Sequence, residues 1–401
     1  MRFARQVSIL LGISSTSLGY ELLREYAGQT FFDGWDWYGS WDNLTLSNVW
    51  WVNQSVASAT NLAYINPAGN AILKVDNTSV VSAGTPDMPG TRNSVRITTT
   101  DFYSLGTLWL ISLRHIPFGC SVWPAFWSKG PAWPNDGEID IIEAINLMDH
   151  NQMALHTLPG CTHDDPGKDK QKGTTIRADC GTTGGCTVAE TTPGSYAEAF
   201  SANGGGVFAT QFDETGINIW FWPRAEVPAS ITQLSSTQTS LDISAWGIPS
   251  AAYPSGPSCN ITEFFPPQQI VLDIALCGHW AGTTASYTDA GCGSAGPTGD
   301  CYQDMVLGAP GTKFDNAYFE IEWMRTFSKN AVPKPVTSTT EQPTATSSPV
   351  VLVTNTESTG SSPTAGSDKA GQSGNGAMML TSGGFGWMTL GLLGLLGGLV
   401  L

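Results

Sequence analysis

Positive charge is scarce in this chain: 18 Lys and Arg stand against 34 Asp and Glu over 401 residues, a formal net charge of −16. A polyanionic partner is thereby excluded, because a nucleic-acid binder presents a basic stripe to the phosphate backbone and none is visible. CxxC pairs are absent, and no Cys/His ladder at zinc spacing occurs, so no metal ligand is assigned. Neither a phosphate-cradling glycine loop nor a nucleophilic-serine elbow appears, and no cofactor is implied. Long helical periodicity and internal repeats are also missing.

What is abundant is apolar and aromatic material, with 41% hydrophobic residues and 15 tryptophans, enough for a sizeable core. Eight cysteines, at 120, 161, 180, 186, 259, 277, 292 and 301, all fall in the middle of the chain. Without metal spacing they read as disulfides of an oxidising compartment. Four sequons, at Asn43, Asn53, Asn77 and Asn260, agree with a secretory route and N-glycosylation.

The ends carry targeting signals. Residues 1–19 place Arg2 and Arg5 before a short apolar run and read as a signal peptide. Residues 329–375 are dominated by Ser, Thr and Pro, cannot bury enough apolar surface to fold, and read as an O-glycosylated stalk. Residues 385–401 are apolar to the last position, and the small-residue cluster 373–377 stands a spacer's length upstream, so that 376–401 would be the removed signal tail. That pattern is a glycolipid-anchor signal with Asn375 as attachment point and Ser373 or Gly374 as alternatives. A membrane span would be longer and followed by basic residues. The expectation is a monomer held by a glycolipid on the outer face of a plasma membrane or in a wall.

Residues 26–328 form one unit with no comparable linker inside. Strand signals dominate it, at 93–99, 106–116, 153–157, 216–223, 269–276 and 317–327, each rich in β-branched and aromatic residues and bounded by Gly, Pro, Asn or Asp. Such a series predicts an all-β sandwich or barrel.

One stretch carries chemistry. In NDGEIDIIEAIN, residues 135–146, the acids Glu138, Asp140 and Glu143 are spaced by two and then three. A helix would set Glu138 inside the apolar arc of Ile139, Ile142 and Ile145. A strand puts Glu138 and Asp140 on one face and Ile139 and Ile141 on the other. Glu143 then has the wrong parity, which one extra residue, a β-bulge around Ile141 and Ile142, restores. Crowded acids raise the pKa of at least one member, so that one stays protonated while another is ionised. Glycoside hydrolysis requires that division: a carboxylate to attack the anomeric carbon and a carboxylic acid to protonate the leaving oxygen. A solvated acidic strand face is the alternative reading of the acids alone.

Just upstream, CSVWPAFWSKGPAWPND (120–136) places Trp123 and Trp127 on one strand face, and Trp133 in the loop leading to Glu138. Pro124 predicts an irregular or edge strand. Indole faces beside acids suit a pyranose, whose C–H face packs on aromatics while its hydroxyls take polar partners.

The run SVWPAFWSKGPAWPNDGEIDIIEAIN, with NQMALHT after it and LCGHWAG (276–282) further on, resembles the fungal laminarinase-like endo-β-1,3(4)-glucanases of glycoside hydrolase family 16. The resemblance covers residues 26–328. It implies a concanavalin A-like β-jelly-roll sandwich with a concave cleft, and hydrolysis with retained configuration. It further implies Glu138 as nucleophile, Glu143 as proton donor and acid/base, and Asp140 as a helper sharing a hydrogen bond with the nucleophile. Trp127, Trp133 and Trp280 match sugar-stacking positions, and His156 a polar neighbour on the adjacent strand. Some relatives hold a structural calcium ion, for which nothing in this sequence identifies ligands. His279 stands where similar sequences carry an acid.

The partner expected is therefore a β-1,3- or mixed β-1,3/1,4-glucan, cut within the chain. Two alternatives stay open: a wall glucan or chitin transglycosylase, against which the extra residue in Glu-x-Asp-x-x-Glu counts, and a non-catalytic β-glucan-binding lectin-like protein, which would be expected to have lost an acid.

Overall fold

A computed structural model describes residues 19–85, 88–234 and 240–329. The signal peptide, stalk and anchor signal expected from the sequence lie outside the described residues, save residue 19 and residue 329 at their edges. Among the described residues no helix is long and apolar enough to cross a membrane.

Two large antiparallel sheets make a β-sandwich of jelly-roll type. The back sheet runs in the order Ser240–Leu241, Tyr20–Ala27, Tyr318–Ser328, Thr107–His115, Gly206–Asp213, Gly216–Pro223 and Ala251–Pro254. The cleft sheet runs Thr174–Thr175, Cys186–Ala189, Gln152–His156, Glu138–Glu143, Val122–Lys129, Gln269–Leu276, Arg96–Thr99 and Trp35–Trp37. The chain crosses between the sheets several times, in runs of one to five strands, which interleaves the two layers.

Between the sheets lies the main core, where Phe126, Ile139, Leu155 and Leu272 of the cleft sheet meet Ile111, Phe208, Phe221 and Ile321 of the back sheet. A second apolar cluster covers the outer face of the back sheet, where Leu108, Leu110, Trp220 and Trp222 pack under Ile231, Leu241 and Trp246. Burial on both faces explains why residues 106–116 read as an almost unbroken apolar run rather than an alternating one.

The strands expected at 106–116, 153–157, 216–223, 269–276 and 317–327 form within a residue or two of those bounds. The run at 93–99 divides. Arg92–Ser94 pairs in parallel with Val49–Trp51, while Arg96–Thr99 joins the cleft sheet beside Gln269–Leu276. The folded unit also begins earlier than residue 26, because Tyr20–Ala27 is a strand held against Tyr318–Ser328.

All eight cysteines are paired, as Cys120–Cys292, Cys161–Cys259, Cys180–Cys186 and Cys277–Cys301. The Cys277–Cys301 and Cys120–Cys292 bridges pin the loops that follow Gln269–Leu276 at one end of the cleft sheet.

Candidate active site

Val122–Lys129 and Glu138–Glu143 form a hairpin at the middle of the cleft sheet. Its register slips once: Phe126 lies opposite Ile142 and Trp127 opposite Asp140, so Ile141 has no opposite number. The slip recurs on the other side, where the ladder to Gln152–His156 passes from Asp140 to Glu143. Ile141 and Ile142 are both fully buried. Two consecutive side chains thus enter the core, and Glu143 emerges on the face that carries Glu138 and Asp140.

A bulge leaves backbone groups without ladder partners, and Asn151 supplies them. Its side-chain carbonyl accepts from the Glu143 N–H at 2.9 Å, and its amide donates to the Ile141 carbonyl at 2.9 Å. Asn151 is fully buried and its own N–H donates to the Ser195 hydroxyl.

Tryptophans meet the acids as anticipated. Trp123 donates its indole N–H to Glu143 Oε1 at 2.9 Å, and Trp133 donates to Glu138 Oε2. Trp280 packs edge-on against Trp123 with ring centroids 5.5 Å apart, and Trp127 meets Trp133 edge-on at 6.2 Å. The indoles of Trp123, Trp127 and Trp133 and the three acids all line one cavity. Pro124 corrects the edge-strand expectation, since its strand is central. The ladder to Glu138–Glu143 begins only at Ala125, so the proline stands just past its end.

His156 lies directly opposite Glu138, and its Nε2 is 3.3 Å from Asp140 Oδ2. Asp140 is 2% exposed and is paired with this imidazole; the hydrogen bond to the nucleophile implied by the resemblance is not among the described contacts. Two carboxyl groups can share a hydrogen bond only when one is protonated. Burial would lower the His156 pKa, but the bond to Asp140 and the charges of Asp140, Glu138 and Glu143 push it up to about 9.

Both glutamates are forced towards the neutral form. Burial, reinforced by the charge of Asp140, raises Glu138 to about 8, against the opposing effects of His156, Trp133 and Arg96. Burial and Asp140 also raise Glu143 well above the carboxylate range, and the charge of Glu138 adds to this. His156 favours the charged form of both glutamates and Asp140 opposes it in both, but Arg96 acts in favour of a charged Glu138 and the charge of Glu138 acts against a charged Glu143. The surroundings therefore bias Glu138 to ionise before Glu143.

Asp273 and Arg96, which sequence reading missed, complete the floor. Asp273 accepts from the Trp127 indole at 3.0 Å and lies 3.8 Å from Arg96, whose guanidinium rests over the rings of Trp127 and Tyr38. Burial raises Asp273 to about 6 although Arg96 and Trp127 oppose it. The parity of Asp273 within QIVLDIAL was the available signal, a lone acid in an apolar strand.

Glu138, Asp140 and His156 bring potential metal-ligand atoms within 4.8 Å of one another. An imidazole that holds its proton to about pH 9 is a poor ligand at neutral pH, so the cluster suits proton and charge management better than a cation. The sequons are at the surface: Asn43, Asn53 and Asn260 are exposed and Asn77 half-buried. Asn375, Ser373 and Gly374 lie outside the described residues.

A jelly-roll sandwich whose cleft sheet presents paired glutamates among tryptophans defines the class of carbohydrate-cleaving β-sandwiches. Residues 35–327 match the XgeA-like, catalytic GH16 domain, and the chain belongs to glycoside hydrolase family 16. It is 37% identical over 334 residues to a probable endo-1,3(4)-beta-glucanase of Aspergillus clavatus, covering 82% of this chain and 49% of that protein. A probable glycosidase of Schizosaccharomyces pombe is 36% identical over 309 residues, 76% of this chain and 68% of that protein. The chain spans about half the length of the endo-1,3(4)-beta-glucanase relatives it matches.

Among solved structures, one described as an elongating GH family 16 beta-1,3-glucosyltransferase superposes with a TM-score of 0.68 at 35% identity, covering 77% of this chain and 100% of that one. Laminarinase 16A from Phanerochaete chrysosporium, with 6-O-glucosyl-laminaritriose in donor and acceptor sites, gives 0.68 at 33% identity, with coverage of 77% and 99%.

Proposed function

We propose that the chain is an endo-acting, retaining hydrolase of β-1,3- or mixed β-1,3/1,4-glucans. The observation that carries this reading is the bulge at Ile141, which sets Glu138 and Glu143 on one face of a tryptophan-lined cleft. Ionised Glu138 attacks the anomeric carbon as Glu143 gives its proton to the departing glycosidic oxygen. The C–O bond breaks and a glycosyl ester forms. Glu143, now a carboxylate, takes a proton from water; the resulting hydroxide adds to the same carbon and frees Glu138. His156, directly opposite Glu138, favours its ionised form against the opposing charge of Asp140.

The test is to incubate the protein with laminarin, lichenan, cellulose and chitin oligomers and resolve the products by length and anomeric form. Mid-length β-products from laminarin or lichenan support the proposal. Intact substrates throughout would sink it.

A second reading is favoured by the likeness to the elongating glucosyltransferase. There the glycosyl ester passes to a sugar hydroxyl instead of water, and products longer than the starting oligosaccharide appear. We further propose that the protein works on the outer surface of a plasma membrane or in a wall, held by a glycolipid. The composition of residues 329–401 supports this. Release from membranes by phosphatidylinositol-specific phospholipase tests it, and a protein that stays bound with residues 385–401 intact contradicts it.

A further inference from the structure

We propose that the loop closed by the Cys180–Cys186 bridge positions His156 beside the nucleophile, with Gly185 as the positioning residue on whose backbone the imidazole is seated. The proposal rests on the hydrolase reading above and deepens it, since His156 lies opposite Glu138. In the ladder between Gln152–His156 and Cys186–Ala189, Leu155 is opposite Cys186 and Ala154 opposite Thr187. The same register carried one step further brings Gly185 opposite His156. Directly opposed residues of an antiparallel pair project to the same side, so a side chain at 185 would share the face of the imidazole.

There is no room for one. A Cβ on Gly185 would stand 2.8 Å from both Cε1 and Nε2 of His156, whereas unbonded heavy atoms settle at about 3.5 Å or more. The ring fills the space that any other residue would claim for its own side chain. Gly185 also has φ +61°, the left-handed region in which glycine pays no steric cost. The Nε2 that touches this seat is the atom 3.3 Å from Asp140 Oδ2, so a ring displaced from Gly185 is displaced from Asp140 as well.

The seat is fixed to the strand that carries His156. Besides the bridge itself, the Cys180 carbonyl accepts from the N–H of Thr157, the next residue after His156, at 2.9 Å. Cys180 donates to the carbonyl of Cys161, which is bridged to Cys259. Inside the loop the Gly185 N–H donates to the Thr182 carbonyl at 3.0 Å, and the Asp179 carboxylate accepts from the Gly181 N–H at 2.9 Å. A ring held from outside in this way keeps one orientation without loss of entropy at each catalytic cycle.

The charged groups around the imidazole come from one side. Glu138, Asp140 and Glu143 act on it from the neighbouring strand; burial opposes its charge and these acids outweigh that effect, raising it to about 9. On the loop side Gly185 offers backbone alone, while Arg177 lies against Gly184 and Asp179 is engaged with Gly181. The loop therefore acts on His156 by placement, and His156 in turn favours the ionised form of Glu138.

The experiment compares the full chain with its Gly185→Ala variant. The His156 ring titration is followed by NMR, and kcat/KM for laminarin is measured as a function of pH. Pushed off Asp140, the imidazole is expected to titrate lower, moving from about 9 towards 6.5. Glu138, with its cationic neighbour moved away, is expected to ionise later, which raises the acid limb of kcat/KM by about one pH unit, an about tenfold loss on that limb that fades above it. An unmoved His156 titration in folded Gly185→Ala protein, or a loss of the same factor at every pH, would overturn the proposal. Should Gly185→Ala give no folded protein, Cys180→Ala/Cys186→Ala decides, because it opens the loop without adding a clash: a lowered His156 titration supports the seat and an unchanged one overturns it. A parent chain that cleaves no glucan at all defeats the hydrolase reading instead, and the His156 titration still decides the role of the loop.

Discussion

Asn151 holds Glu143 by its backbone rather than by its carboxylate: the Asn151 side-chain carbonyl accepts the Glu143 N–H at 2.9 Å, and the same amide donates to Ile141 across the bulge. The parity shift that turns Glu143 into the cleft is thus closed by one buried side chain that immediately precedes the neighbouring strand Gln152–His156. Replacing it by Leu leaves two buried backbone groups unpaired, a loss of about 2–4 kcal/mol in stability. The misplaced acid is expected to lower kcat by about 100-fold with a smaller change in KM. Thermal unfolding and steady-state kinetics check both parts; a kcat unaltered in a folded Asn151→Leu protein refutes the positioning role.

The two glutamates should fail differently. Glu143→Ala removes the proton donor, so an aryl glycoside with a good leaving group should still form the glycosyl ester, and azide should capture it as the β-azide. Glu138→Ala removes the attacking group, and any azide product should be the inverted α-anomer. NMR of the two azides decides the assignment, and the opposite pattern reverses it.

Stability should fall as pH rises from weakly acidic to alkaline. Glu138 is raised from 4.5 to about 8 and Asp273 from 3.8 to about 6, so across these windows the folded chain binds protons that the unfolded chain has released. His156, raised from 6.5 to about 9, contributes stability that is complete below 6.5 and is lost as pH climbs towards 9. All three have the same sign. On the acid side, Asp42 is held below its usual range by bonds from Ser47 and Thr45 despite burial, and stabilises only while ionised. The melting temperature is expected to peak at about pH 5 and decline steadily to pH 9, with a shallower decline for Glu138→Gln. A melting temperature that rises between pH 5 and pH 9 contradicts this.

The four disulfides should contribute unequally. Cys120–Cys292 spans 172 positions and Cys180–Cys186 only 6. If each acts by restricting the unfolded chain, removing the first pair costs about 5 kcal/mol and the second about 2. Paired Cys→Ala variants compared by denaturant midpoints test the order, and equal losses would mean that native-state contacts dominate.

The strands carrying long β-branched runs were legible in the sequence, and so was the bulge, because a strand and three acids at those intervals admit few other arrangements. The hairpin brought Trp123, Trp127 and Trp133 to the acids for the same reason: parity and a short loop fix them locally. What escaped was set by distant pairing. Gly206–Asp213 begins at the end of a glycine run that reads as loop, and becomes a strand because Thr107–His115 lies beside it. Asn151, Arg96 and Asp273 are ordinary polar residues until three other strands arrive. Pro124 looked like an edge marker because the end of a single ladder cannot be seen in a linear pattern.

Tyr20–Ala27, the first strand, lies against Tyr318–Ser328, the last. Because the last strand also pairs with Thr107–His115, the centre of the back sheet stays open until the chain has been extended to residues 318–328. Such high contact order makes folding slow and late. The half-built sandwich presents unpaired strand edges for most of its synthesis, so residues 318–328 act as the bolt that must slide home before the back sheet is closed.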